Sequence, residues 1–168
     1  IVLSKIPQKR LNWILKIPII NDFFKVKLKQ KLGLKHAKIT ISGAAPVSLE
    51  VINWYKNIDI EIFQIYGMTE DCCISHFNIP PNNKIGTVGR PLPGVKTKIS
   101  EEGEICIKNN CLMKGYYKNP DLTMKTFDKD GYLKTGDKGK YDEEGNLIIT
   151  GRIKDQFKTD KGKYISPS

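Results

Sequence analysis

The chain has 168 residues, 39% of them hydrophobic, and 28 Lys and Arg against 18 Asp and Glu give it a formal net charge of +10. That aliphatic content supports a real core and excludes a disordered polyanion binder. No run approaches the roughly 20 apolar residues of a bilayer span. Residues Ile1 to Ile20 are interrupted by Lys, Arg, Gln and two Pro and lack a signal-peptide cleavage site. The positive charge has two explanations, a polyanionic partner or a general drift towards Lys. Lys is spread over most surface segments, which favours drift, so no nucleic-acid partner is expected. One local excess stands out: from Lys5 to Lys38 the only carboxylate is Asp22. This stretch offers peripheral contact with an anionic membrane or with ligand phosphates. The four cysteines, Cys72, Cys73, Cys106 and Cys111, have no metal-ligand spacing. They are expected to be reduced and mostly packed, which points to a cytoplasmic location, with any membrane contact on the cytoplasmic face.

In chain order, Leu11 to Leu34 reads as helical, broken at Pro18 and ended near Gly33. Lys38 to Ser42 is a short strand that runs into Gly43-Ala44-Ala45-Pro46. Ser48 then suits the N-cap of a helix to Lys56, with Val51, Ile52 and Tyr55 on one face. Ile58 to Ile65 alternates as a strand, completing a βαβ unit with parallel strands expected. The second half changes character. Pro91-Leu92-Pro93-Gly94 is a turn, and Val95–Ser100 and Glu104–Lys108 are expected to pair as a hairpin. Pro120 to Phe127 is a short helix. Short strands follow at Tyr132–Lys134, Lys138–Tyr141 and Asn146–Thr150, with Asp142 to Asn146 closing a hairpin. The fold class expected is an α/β part followed by an antiparallel, β-barrel-like subdomain.

Several segments carry chemistry. Ser42-Gly43-Ala44-Ala45-Pro46 lies at the carboxyl end of a strand, where α/β sheets bind ligands, although a tight turn explains it equally well. Tyr66-Gly67-Met68-Thr69-Glu70 follows the next strand. Tyr66 offers a π-face, Gly67 a sharp turn, Thr69 a hydroxyl for a phosphate oxygen and Glu70 a hard ligand for Mg²⁺. A strand-to-helix turn capped by Thr69 is the plainer alternative. Thr135-Gly136-Asp137 puts a carboxylate in a tight loop, suited to the vicinal hydroxyls of a ribose or to a simple turn. Arg152, in Gly151-Arg152-Ile153-Lys154-Asp155, has the fork to bind ribose or phosphate oxygens, or a surface carboxylate.

The order of these segments is more specific than any one of them. ISGAAP, QIYGMTE, GTVGRPLPGV, GEICIKNNCLMKGYYKNP, GYLKTGD and ITGRIKD together resemble the ANL superfamily of acyl- and aryl-CoA synthetases, peptide-synthetase adenylation domains and beetle luciferases. The resemblance spans about Ile39 to Pro167. It implies ATP-dependent formation of an acyl-adenylate, with ATP, Mg²⁺ and coenzyme A as cofactor and co-substrates. It places Gly43, Ala44 and Ala45 on the acyl and adenine wall, Gln64, Ile65, Tyr66 and Gly67 around the adenine, Thr69 on phosphate and Glu70 on Mg²⁺. It gives Asp137 the ribose hydroxyls, Arg152 an assisting role there, and Lys154 the hinge before the small C-terminal domain. Its layout assigns 1–83 to the α/β part of the AMP-binding domain, 84–151 to the β-rich subdomain and 152–168 to the hinge and the start of the small domain. The Lys158-to-Pro167 loop is most similar to that of long-chain fatty acyl-CoA synthetases, so a fatty acid is the expected substrate. An aryl-CoA ligase, a peptide-synthetase adenylation domain, or a non-catalytic basic module remain alternatives. Asp160-Lys161 replaces the SG pair of many relatives, and Asp71-Cys72-Cys73 also departs from the usual pattern. The family's phosphate loop and C-terminal catalytic lysine have no counterpart in the sequence. The chain is therefore expected to be a fragment unable to adenylate alone.

Overall fold

A computed structural model describes residues 18–153, 157–158 and 164–165. The described residues form two compact units: 18–40 with 50–62, and 41–49 with the described residues from 63 onward.

In the first unit, helix α1 (Pro18–Lys31) begins at the proline that the sequence suggested would break it. Proline's fixed φ and missing N–H are harmless in a first turn; residues 11–17 of the expected helix lie outside the described set. Gly33 ends the helix as expected. It sits at φ 74°, and the amide of Leu34 donates back to the carbonyl of Lys29 at 2.8 Å. The core of this unit is Leu28, Ile58 and Ile60, packed by Phe24, Leu32, Leu34, Trp54 and Tyr55. Helix α2 (Leu49–Asn57) starts directly after Ser48 and buries Ile52. Val51, expected on the same face, is exposed, while Tyr55 packs on the core. The Ile58-to-Ile65 strand starts late. Ile58 and Ile60 alternate inward as read, but Asp59 is left-handed at φ 56° and the amides of Ile58 and Ile60 both bond to the carbonyl of Tyr55. This helix-terminal turn replaces the first half of the strand. The basic stretch is partly tied down: Lys25 Nζ lies 2.9 Å from Asp59 Oδ1, and Lys29 Nζ donates to the Asp59 carbonyl at 3.2 Å.

The second unit is built on two sheets. Strands β1 (Thr40–Ser42), β2 (Ile62–Tyr66), β3 (His76–Phe77) and β4 (Arg90–Pro91) lie in that order in the first. Strands β5 (Lys96–Ile99), β6 (Glu104–Lys108), β7 (Leu133–Tyr141) and β8 (Leu147–Arg152) form an antiparallel meander in the second. The predicted β5–β6 hairpin, the helix α3 (Pro120–Thr126) and the Asp142–Asn146 turn are all present. Asn119 caps α3, its side chain accepting the Leu122 amide at 3.1 Å. The backbone segments β9 (Phe157–Lys158) and β10 (Tyr164–Ile165) pair antiparallel. The core is Tyr66, Val88, Ile105, Ile107 and Leu147, with Val95, Ile99 and Ile149 against it.

Two expectations fail here. Thr135-Gly136-Asp137 is not a loop between two strands; it lies inside the single strand β7. Gly136 adopts φ 76° and its amide turns to the Glu104 carboxylate, Oε1 at 2.8 Å, while the β6–β7 register shifts between Glu104 and Cys106. A bulge therefore does what a loop was expected to do. The cysteines are free, but only Cys106 is packed; Cys72, Cys73 and Cys111 are exposed.

Candidate functional site

Strand β2 ends in Tyr66, which its burial pattern turns into the second unit's core, 8% exposed. Its hydroxyl reaches across to β7 and donates to Asp137 Oδ2 at 2.7 Å. Burial, reinforced by the nearby Asp137 charge, pushes the phenol well above its ordinary pKa, so Tyr66 acts as a permanent donor. The β7–β8 register sets Arg152 opposite Asp137, and Arg152 Nε lies 3.2 Å from Asp137 Oδ1. The Asp137 carboxylate is 13% exposed and Arg152 69% exposed. One carboxylate is thus oriented from inside by a neutral donor and from outside by a cation. The Asp137 amide also donates to Thr135 Oγ1 at 3.1 Å, and that hydroxyl donates to the Ile105 carbonyl at 2.8 Å.

After Tyr66 the chain turns through Gly67, Met68 and a 3₁₀ turn over Thr69–Asp71. A Cβ on Gly67 would stand 2.3 Å from the Cys73 carbonyl oxygen, so only glycine lets these two backbone strands touch. Asp71 closes the turn by accepting the Met68 amide on Oδ1 at 2.8 Å. Asp71 is 1% exposed and its Oδ2 has no hydrogen bond; desolvation holds its pKa above the ordinary carboxylate value. The turn presents Thr69 to solvent and leaves Glu70 half-buried. Glu70 is gripped twice from the loop before α3: Met113 donates its amide to the Glu70 carbonyl and Tyr116 donates its hydroxyl to Oε1, both at 2.8 Å.

The third part is the end of β1. A Cβ on Gly43 would lie 2.5 Å from Ile65 Cγ1, so the backbone of the Gly43-Ala44-Ala45 turn is pressed against β2. Ala44 is left-handed at φ 65°, and Ala44 and Ala45 are exposed. Gln64 and Ile65, both on β2, are half-buried.

The structure therefore joins Tyr66, Asp137 and Arg152 in one cluster, packs Gly43 against Ile65, and holds Glu70 on an anchored turn four residues from Tyr66. Lys154 lies outside the described residues. The sequence did not single out Tyr116 or Glu104, and it marked Asp71 only as part of the unusual Asp71-Cys72-Cys73 stretch. Tyr116 lies in the GYYKNP segment, and a tyrosine between a glycine and a capped helix was the available signal. The residues suit the groups that the resemblance implies. Glu70 and Thr69 offer hard oxygen donors for Mg²⁺, and among the described residues no partner engages Glu70 Oε2. Asp137, fixed on two sides, has lone pairs left for a diol.

Comparison with known proteins identifies the family of the chain. Residues 12–117 match the family described as AMP-binding enzyme. Long-chain-fatty-acid–CoA ligase 5 of Rattus norvegicus is 34% identical over 178 residues, covering 99% of this chain and 26% of that protein. The long-chain-fatty-acid–CoA ligase FadD15 of Mycobacterium bovis is 37% identical over 145 residues, covering 84% and 23%. The ATP-bound MatB structure from Rhodopseudomonas palustris superposes with a TM-score of 0.74 at 32% identity, over 87% of this chain and 32% of that one. The Bacillus subtilis O-succinylbenzoate CoA synthetase, solved with ATP and a magnesium ion, gives 0.67 at 31% identity over 76% and 29%. The chain belongs to the AMP-binding enzyme family, within the ANL class of acyl-adenylate-forming ligases. It spans about a quarter of the length of the curated relatives it matches, and these are named fatty-acid–CoA ligases.

Proposed function

We propose that the protein to which this chain belongs activates a fatty acid with ATP to an acyl-adenylate and passes the acyl group to coenzyme A. The observation that carries this reading is the Tyr66–Asp137–Arg152 cluster, a carboxylate pre-oriented at 2.7 and 3.2 Å for a ribose. In this reading Asp137 accepts the vicinal hydroxyls and Arg152 donates to the ribose or phosphate oxygens. The Gly43-Ala44-Ala45 turn with Gln64, Ile65, Tyr66 and Gly67 walls the adenine. Thr69 donates to phosphate and Glu70 holds Mg²⁺. The bound Mg²⁺ supplies charge neutralisation at the phosphates. The fatty-acid assignment rests on the similarity to the two fatty-acid–CoA ligases. Coenzyme A as thiol acceptor, the division at 83/84 and 151/152, and Lys154 as hinge belong to the same proposal. The similarity to the O-succinylbenzoate synthetase keeps an aryl acid as the second reading.

The test is calorimetric titration of the chain with non-hydrolysable fatty-acyl and aryl-acyl adenylate analogues, alongside Asp137→Ala. Preferential binding of the fatty-acyl analogue, lost in Asp137→Ala, is expected. Preference for the aryl analogue moves the assignment to the second reading. Salt-sensitive binding of single-stranded nucleic acid with no analogue binding refutes the nucleotide site. Among the described residues no helix is long and apolar enough to cross a membrane. Peripheral contact through the basic stretch stays part of the proposal and is read by co-sedimentation with anionic vesicles.

A further inference from the structure

We propose that Tyr116 is a positioning residue for the Glu70 carboxylate, holding one of its oxygens so that the other is presented to a divalent cation. This rests on the reading of Glu70 as the magnesium ligand, and it concerns a residue to which that reading gives no role.

The geometry is built rather than incidental. The Tyr116 hydroxyl donates to Glu70 Oε1 at 2.8 Å across 46 residues of sequence. The same loop seizes the Glu70 backbone, the Met113 amide donating to its carbonyl at 2.8 Å. Glu70 is thus fixed at its backbone and at one carboxylate oxygen from one segment. That segment is itself fixed. The Tyr116 amide donates to Thr123 Oγ1 at 2.9 Å, and the Thr123 hydroxyl donates to the Asn119 carbonyl at 2.9 Å. Asn119 in turn caps α3. Gly115, at φ 150°, allows the loop to close on α3: a Cβ there would stand 2.7 Å from Thr123 Cγ2. The neighbouring Tyr117 is 88% exposed, and its ring lies under the Lys118 ammonium at 5.3 Å. Two adjacent tyrosines therefore differ completely in use.

The chemistry follows from the donor set. A carboxylate free to rotate about its last bond loses that freedom when it binds a small octahedral cation. A hydroxyl that already fixes one oxygen removes part of that loss and aims the second lone-pair set outward. Groups that orient ligands in this way typically contribute tenfold or more to metal affinity. The Glu70 hydrogen bond, more than burial, also pushes the Tyr116 phenol above its ordinary pKa, so the donor stays protonated across neutral pH.

The test uses the full chain, Mn²⁺ in place of Mg²⁺, and ATP, with free Mn²⁺ read by electron paramagnetic resonance. Four proteins are compared: the natural chain, Tyr116→Phe, Tyr117→Phe and Glu70→Gln. Metal-free ATP binding is measured in parallel by calorimetry. Expected are loss of ATP-dependent Mn²⁺ binding in Glu70→Gln, a roughly tenfold weakening in Tyr116→Phe, and no change in Tyr117→Phe. Metal-free ATP affinity is expected to be the same in Tyr116→Phe and the natural chain, which a merely structural role would not produce. If Glu70→Gln loses the metal and Tyr116→Phe keeps natural affinity, the positioning role is overturned while the magnesium reading stands. If Glu70→Gln binds Mn²⁺ as the natural chain does, the magnesium reading falls and the positioning role with it. If the natural chain itself shows no ATP-dependent Mn²⁺ binding, the magnesium reading falls and the positioning role with it.

Discussion

Replacing His76 by Gln should flatten the acid limb of this protein's stability curve. His76 opens β3 and is 0% exposed. Its Nδ1 lies 3.0 Å from the Ser75 hydroxyl and its Nε2 3.2 Å from the Thr97 hydroxyl. Both partners are neutral, so nothing nearby stabilises an imidazolium, and burial lowers the pKa to about 4 from an ordinary 6.5. The folded state therefore binds fewer protons than the unfolded state between those two values. Stability is complete above pH 6.5, falls as pH drops through this window, and stops falling below pH 4. The full gap is worth about 3 kcal/mol, and about 2.5 kcal/mol of it is lost by pH 4.5. Urea denaturation at pH 7.5 and 4.5 measures the loss in each protein. Gln can still hydrogen-bond to the two hydroxyls but cannot titrate. The variant starts less stable through imperfect packing, and its drop between the two pH values should be smaller by about 2 kcal/mol. Carboxylates titrate equally in both proteins and cancel in the comparison. Parallel pH slopes would refute the reasoning, because they would mean that the folded state accepts the His76 proton at no cost.

Three further outcomes follow from the same coordinates. Leu147→Ala should cost about 2–5 kcal/mol in chemical denaturation, because Leu147 is 0% exposed in the main core while its backbone stays paired with Val88 and Gly89. Gly67→Ala should destabilise by about 3 kcal/mol, since the new methyl meets a backbone carbonyl that cannot yield; a melting temperature within a degree of the natural chain would contradict it. Asp71→Asn should stabilise the chain at pH 7 by about 1 kcal/mol. Asn keeps an acceptor for the Met68 amide and removes a desolvated charge with an unbonded oxygen. Because the folded pKa of Asp71 is raised, the cost of its charge is complete above that pKa, shrinks as pH falls through the window below it and is gone below the ordinary carboxylate value, so the gain should fade as pH falls into the acid range. Thermal melts at pH 7 and pH 3.5 read both halves of this outcome.

Local chemistry made much of the fold legible. Gly33, Pro120 and the Asp142-to-Asn146 turn end or start elements where the sequence placed them, because each acts through its own backbone and its nearest neighbours. Alternation identified the β5–β6 hairpin for the same reason. The errors arise where a distant residue decides. Thr135-Gly136-Asp137 looks like a loop until the Glu104 carboxylate, 32 residues away, takes the Gly136 amide and turns the motif into a bulge. The exception is Ile58 to Asp59, whose strand alternation loses to close neighbours, the carbonyls of Tyr55 and Lys56 at the end of α2. Within the site, the order of motifs pointed to Tyr66, Asp137 and Arg152, and the structure brings these three together. Tyr116 was not singled out because the glycine before it is a weak signal by itself, and what separates it from Tyr117 is a contact with Glu70, 46 residues away.

Gly136 has one more implication. Its amide is held by Glu104 at 2.8 Å and its carbonyl accepts the amide of Ile153, just past β8, also at 2.8 Å. The residue that sets the height of Asp137 is thus also the mooring of the outgoing chain. Ile153 is therefore one hydrogen bond and one peptide unit away from the Asp137 carboxylate's own residue.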